Sequence, residues 1–254
     1  MNKKLLIALV VWAGYIGIII FLPRLFSSGG TQSQADFASG SISPAHVIAV
    51  VYLLAFVLIA GWRKETGLKM PRPETNWLIL WLPILFICLF FSLGLVLGFR
   101  SGPALVYAIV NTIAVGIGEE LAFRGVIFAG AREQFNNWGS IFFTSVIFGA
   151  VHVLNGLGTG DYLAASVQAV AAMMSGLLFL ALLVRTGSLI PGMIIHFLWD
   201  LSIFVTTRPG EHVGGEGSVA MRMILPILFV MPNFLYALYL LRGVSNTPSE
   251  ELVA

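Results

Sequence analysis

Six ionisable side chains lie inside apolar stretches of this chain, where a charge is costly and usually has a function. They are Glu119, Glu120, Arg124, His152, His196 and Asp200. One charged group at the centre of a bilayer costs roughly 2.5–3.5 kcal/mol on insertion scales, so each is a functional candidate. One such side chain on its own could simply form a hydrogen bond between helices. Six of them in three segments favour a reactive site.

Two carboxylates and a guanidinium share one predicted helix, in the run EELAFR from Glu119 to Arg124. Glu120 and Arg124 are four residues apart, with the carboxylate on the N-terminal side, so they lie on one face and can form an ion pair. Glu119 is rotated by about 100° from Glu120. We therefore expect Glu119 to face a different partner.

Each histidine has a potential partner four residues away, on the same face of its predicted helix. His196 and Asp200 are four residues apart, and Phe148 precedes His152 by one turn, which places a ring beside the imidazole. From the helix rise, Glu119 and His152 lie about 18 and 20 Å from the same end of the predicted spans. The same estimate places His196 and Asp200 at about 12 and 18 Å, so all four can meet in one cavity.

This set of side chains is suited to activating water. A glutamate beside a histidine, away from bulk water, can hold a water molecule and remove its proton, as Glu119 and His152 could. A second histidine, His196, can donate a hydrogen bond to an oxyanion. Alternatively, Glu119, His152, His196 and Asp200 could bind zinc or another divalent metal, because three such ligands and an open position form the usual catalytic site. Both arrangements predict hydrolysis.

The composition places these residues in a membrane protein. Of 254 residues, 58% are hydrophobic and only 10% are charged, far from the values of soluble domains. A net charge of +2 and the lack of a basic run exclude a nucleic-acid partner. The single cysteine, Cys88, excludes an intrachain disulfide and a cysteine-based zinc cluster.

Eight apolar segments are long enough to form membrane spans. They are Leu5–Leu22, His46–Trp62, Trp77–Phe99, Pro103–Ala131, Gly139–Leu154, Leu163–Val184, Ser188–Thr206 and Met223–Leu241. We predict an all-α polytopic bundle that forms one membrane domain over residues 1–254, with a motif-bearing core at about 103–206. The Ser- and Gly-rich stretch between the first two segments has little capacity to fold.

The Lys and Arg residues between these segments predict the orientation. With both termini inside, nine basic residues lie on the cytoplasmic side and four on the other side. We therefore expect a multi-pass protein of a prokaryotic cell membrane with cytoplasmic termini. The first apolar segment is too long for a typical signal peptide, and we interpret it as an uncleaved span.

Three motifs occur in order on separate predicted spans. Glu119 to Arg124 fits EExxxR, Phe148 to His152 fits FxxxH, and the run from His196 to Asp200 fits HxxxN/D. This combination resembles the CPBP family, the type II CAAX prenyl endopeptidases and their bacterial relatives, also called Abi or lysostaphin-resistance-like proteins. The resemblance covers about 103–206.

The resemblance implies an eight-helix intramembrane endopeptidase. In it, Glu119 would activate water with His152 as its partner, and His196 and residue 200 would stabilise the oxyanion. Glu120 and Arg124 would hold the site in shape. Both metal-dependent and metal-free mechanisms have been proposed for such proteins.

Position 200 departs from the prenyl endopeptidases, which carry Asn there. An ionised aspartate cannot donate a hydrogen bond to an oxyanion. Asp200 is therefore protonated, orients His196, or binds a metal.

The residues predict hydrolysis in a membrane cavity reached from the cytoplasm. The resemblance implies an endopeptidase acting on membrane-associated or lipidated CAAX-like proteins, or on secreted peptides. Its partners would be such substrates and membrane lipids. The alternatives are a proton-coupled transporter, since intramembrane acids and histidines also form proton relays, and an inactive relative serving as an immunity factor or scaffold. No inverted repeat supports a transporter, and the complete polar set argues against an inactive protein.

Overall fold

The computed structural model describes residues 1–26, 31–207 and 218–246, and within these ranges the regular elements are helices. The α-helices are α1 (Lys3–Phe26), α2 (Gln34–Gly40), α3 (Pro44–Ile59), α4 (Trp81–Leu97), α5 (Pro103–Glu119), α6 (Phe128–Ala131), α7 (Asn137–Val151), α8 (Gly156–Thr159), α9 (Tyr162–Thr186), α10 (Ile190–Phe204) and α11 (Val219–Leu241). Two 3₁₀ turns, Trp77–Leu80 and His152–Asn155, precede α4 and α8, and a π-helix, Glu120–Ile127, joins α5 to α6. The predicted all-α class is confirmed.

The helices account for the eight predicted spans in the described part of the chain. Six continuous helical stretches there are long and apolar enough to cross a membrane, and α2 with α3 forms a seventh that is bent by 85°. The eighth predicted span corresponds to α10, which is apolar but only 15 residues long. Hydropathy therefore located the helix that corresponds to each predicted span to within a few residues.

The Ser- and Gly-rich stretch before α3 folds, contrary to the prediction. Part of it forms α2, which Ser33 caps by accepting a hydrogen bond from the backbone N–H of Asp36. Asn111 of α5 fixes the bend between α2 and α3, because its Nδ2 donates to two backbone carbonyls at 2.7 Å and its Oδ1 accepts from Ser43 N at 2.8 Å. Composition alone did not reveal this long-range support. Residues 27–30 of the stretch lie outside the described residues.

Close helix packing at glycines brings the motif-bearing segments together. A Cβ at Gly149 of α7 would lie 2.5 Å from the carbonyl oxygen of Ala169 on α9. A Cβ at Gly116 of α5 would lie 3.0 Å from the carbonyl oxygen of Met193 on α10. Small residues allow such contact between membrane helices. The two glycines therefore set α7 against α9, and the end of α5 against α10.

Candidate active site

The first motif lies where α5 changes into the π-helix. Glu120 and Arg124 on this turn are both fully buried, and Glu120 Oε1 lies 3.1 Å from Arg124 Nη1. The predicted ion pair is thus present. Nothing in the residue pattern distinguished this turn from an α-helix, although π-helical turns often occur at functional sites.

Two aromatic rings cover the guanidinium of Arg124. Its Cζ lies 3.8 Å from the centre of the Phe148 ring and 5.1 Å from that of Phe179. Gly176 leaves the space for this arrangement, because a Cβ there would lie 3.2 Å from Arg124 Nη2 and 3.3 Å from the Phe148 ring. The buried cation is therefore stabilised by one carboxylate and two π faces.

His196 is fixed by the second glutamate of the motif. Its Nδ1–H donates to Glu120 Oε1 at 2.8 Å, and its ring stacks on Phe179 with centres 4.8 Å apart and planes at 14°. Gly192, one turn earlier on α10, leaves room for Glu120, since a Cβ there would lie 3.3 Å from Glu120 Oε2. Phe179 is one apolar residue among many on α9, so the residue pattern did not single it out. The pattern also predicted no contact between Glu120 and a histidine.

His152 is fixed by its own helix. Its Nδ1–H donates to the carbonyl of Phe148 at 2.6 Å, and the two rings meet edge to face with centres 4.7 Å apart. The Phe148 ring therefore lies beside the imidazole, as predicted. Because Nδ1 carries the proton of the neutral ring, Nε2 has a free lone pair.

Glu119 faces both imidazoles. Its Oε2 lies 4.0 Å from His152 Nε2 and 3.7 Å from His196 Nε2, and this oxygen is buried without a hydrogen-bond partner among the described residues. Asp200 Oδ2 lies 3.6 Å from the same His196 Nε2. The structure thus brings all six candidate residues together. Glu119 and Glu120 do face different atoms, as expected, but these are the two nitrogens of one histidine ring.

A cavity of about 350 Å³ extends from these groups, and His152, His196 and Asp200 line its inner end. Among the described residues, its other end is lined by the ends of helices and loops that include Gln34, Thr159 and Thr207. These lie on the face opposite the start of α1 and the end of α11. The expected cytoplasmic termini and the expected access to the cavity from the cytoplasm therefore cannot both hold, and the orientation in the membrane stays a prediction.

The proposed metal ligands do not fit a metal ion in this arrangement. Among residues 1–26, 31–207 and 218–246, no group of three or more His, Cys, Asp or Glu side chains is placed to hold one. His196 Nδ1 is engaged by Glu120, and its Nε2 lies between two carboxylates.

The comparison with known families agrees with the motifs. The family model of the type II CAAX prenyl endopeptidase Rce1-like proteins matches residues 101–202, which hold all three motifs and the six candidate residues. The resemblance to the CPBP family is confirmed, and the match supports a CAAX-type intramembrane protease activity on a membrane-associated protein. No curated protein and no solved structure matches the chain. The apolar helices and this match together indicate a multi-pass membrane protein.

Proposed function

We propose that this protein is an intramembrane endopeptidase in which Glu119 takes a proton from the attacking water. One observation carries the proposal: a buried carboxylate oxygen without a hydrogen-bond partner faces the free Nε2 of His152 at 4.0 Å. Two acceptors at this separation can each take one hydrogen of the same water molecule at about 2.8 Å. The lone pairs of that water then remain available for attack on a carbonyl carbon.

The reaction begins when Glu119 removes one proton from the water while His152 accepts a hydrogen bond from the other. The oxygen attacks the peptide carbonyl, and the carbonyl oxygen becomes an oxyanion. The C–N bond then breaks, and Glu119 passes its proton to the departing amine. General base catalysis of this kind contributes about 10²–10⁴-fold.

His196 is the donor for the oxyanion. Because its Nδ1–H is already bound to Glu120, a second donor at Nε2 requires the imidazolium form. Three carboxylates surround this ring, with Glu119 and Asp200 at 3.7 and 3.6 Å from Nε2, and their negative charge stabilises that cation. This gives Asp200 a role that an asparagine could not fill: it acts through charge on His196 instead of donating to the oxyanion itself.

The test is cleavage of two fluorescence-quenched peptides by purified protein in detergent. One peptide carries a farnesylated cysteine near its C-terminus, and the other is the same peptide without the lipid. We expect cleavage of at least one, with a loss of about 10²-fold or more for His152→Gln. His46→Gln is the matched control, because His46 of α3 bonds the hydroxyl of Ser43, the N-cap of the same helix, and does not line the cavity.

Cleavage of the lipidated peptide alone would identify a CAAX-like substrate. Cleavage that His152→Gln leaves unchanged would contradict the mechanism. Uptake of the peptide into proteoliposomes without cleavage would favour the transporter instead.

A further inference from the structure

The start of α1 and the end of α11 lie on the opposite face of the helix bundle from the outer end of the cavity. Lys4 Nζ pairs with Glu133 at 3.0 Å, and Asn137 Nδ2 donates to Ser245 O at 2.9 Å. These contacts place the start of α1, the connection between α6 and α7, and the segment after α11 on one face, called here the termini face. None of these four residues lines the cavity.

The loop between α3 and α4 and the turn between α9 and α10 also belong to the termini face. Arg132 donates to Glu65 O at 2.8 Å, and Leu189 N donates to Gly67 O at 2.9 Å. Arg185, at the end of α9, donates to the carbonyl of Arg242 at 3.0 Å. Contacts between residues that are distant in the sequence therefore define this face, independently of the distribution of Lys and Arg.

The opposite face, called here the cavity face, has its own polar contacts. Gln34 Nε2 donates to Gln168 Oε1 at 2.9 Å, and Asn155 Nδ2 donates to the same oxygen at 3.0 Å. Arg222 at the start of α11 pairs with Asp161, the cap of α9. All five side chains line the cavity, which joins this face to the histidines.

Basic residues are unequally divided between the two faces. The termini face carries Lys3, Lys4, Arg63, Lys64, Lys69, Arg72, Arg132, Arg185 and Arg242. The cavity face carries Arg24, Arg100 and Arg222 among the described residues, and Arg208 lies outside them. Short loops rich in Lys and Arg remain in the cytoplasm. This division makes the cavity face the outer one.

We propose that the active site takes polypeptide from the outer side of the membrane, so that its substrates are exported or membrane-anchored proteins. The inference rests on the proposed peptidase function, and it makes a lipidated C-terminus presented in the cytoplasm an unsuitable substrate.

The cavity wall suits an extended, uncharged peptide segment. Phe90 contacts Trp199 and Phe229, with ring centres 5.5 and 5.3 Å apart, and closes one side with apolar surface. The side chains of Gln168 and Asn233 add amide groups that match those of a peptide backbone. Asn233 is only 2% exposed, and its Oδ1 has no hydrogen-bond partner among the described residues. It is thus available to a backbone N–H.

Single cysteines in a Cys88→Ser background test the orientation. Thr159→Cys lies at the outer end of the cavity, and Lys64→Cys is its counterpart on the termini face. With a membrane-impermeant maleimide, we expect Thr159→Cys to be labelled in intact cells and Lys64→Cys only in inverted vesicles. The reverse pattern would overturn the proposal.

Cleavage by the same two variants in detergent tests the route. Each labelled variant is compared with its own unlabelled form on the quenched peptide that lacks the lipid. After labelling with a bulky maleimide, we expect Thr159→Cys to lose at least tenfold in kcat/KM and Lys64→Cys to be unchanged. The proposed route would be overturned if labelling lowered kcat/KM of Lys64→Cys alone, or of neither variant. The peptidase function would instead be refuted if no peptide were cleaved by the Cys88→Ser parent or by either unlabelled variant.

Discussion

Glu120 accepts the Nδ1–H of His196 at 2.8 Å, which ties the second glutamate of the first motif directly to the histidine on α10. The same carboxylate oxygen lies 3.1 Å from Arg124 Nη1. Glu120 is therefore a positioning residue with two functions: it neutralises a buried cation, and it turns Nε2 of His196 toward Glu119 and the cavity.

Substitutions of Glu120 separate these two functions. Glu120→Gln keeps an oxygen that can accept from His196, whereas Glu120→Ala removes it. We expect kcat to fall by about 10²-fold in Glu120→Ala and by no more than about tenfold in Glu120→Gln, with KM unchanged in both. Both variants should unfold at lower temperature, because Arg124 loses its carboxylate. Equal kcat values for the two folded variants would show that the hydrogen bond does not position His196.

Arg124 is expected to matter for stability more than for chemistry. Removing one partner of a buried ion pair costs about 3–5 kcal/mol, because the other charge is left uncompensated. Arg124→Leu should therefore strongly lower the thermal unfolding temperature in detergent. The double variant Arg124→Leu/Glu120→Gln should recover much of the lost unfolding temperature, because it leaves no buried charge without a partner. A double variant no more stable than Arg124→Leu would contradict this account of the pair.

The Phe179 ring contacts both the guanidinium of Arg124 and the imidazole of His196. A stacked ring pair contributes about 0.5–1.5 kcal/mol, so Phe179→Leu should lower kcat by about three- to tenfold. Phe123→Leu is the matched control, because the Phe123 ring contacts Phe148 at 5.0 Å and has no ring contact with His196. Similar losses in kcat for both variants would indicate a general packing effect.

The sequence predicted the spans well and the contacts between them only in part. Hydropathy decides where a helix crosses the membrane, so the eight segments were located to within a few residues. The helical spacing of Glu120 and Arg124 was enough to predict their pair. The contact of Glu120 with His196 was missed because it joins residues 76 positions apart, and a single sequence does not report such a distance.

Two other features were hidden for local reasons. The π-helix after Glu119 has the same kinds of residues as an α-helix, so nothing in the pattern indicated it. The helix α2 lies in a stretch whose Ser and Gly residues predict a loop, and its support comes from Asn111 on a distant span.

Asp200 is expected to act through charge and without a bound metal. Loss of one carboxylate near His196 should lower kcat of Asp200→Asn by about tenfold, equivalent to about 1.4 kcal/mol of transition-state stabilisation. Treatment of the wild type with a chelator should leave its activity unchanged. Elemental analysis is the check: one divalent metal per chain, lost together with activity in Asp200→Asn, would establish the metal-binding alternative.

The most direct test of the mechanism is kcat for Glu119→Gln, measured on the quenched peptides in detergent. Glutamine has nearly the same shape but cannot take a proton from water, so we expect kcat to fall by about 10²–10⁴-fold. The unfolding temperature should stay close to that of the wild type. Glu133→Gln, at the exposed pair with Lys4, should keep full activity. A Glu119→Gln protein that retains kcat within a factor of about three of the wild type would contradict the assignment of Glu119 as the base.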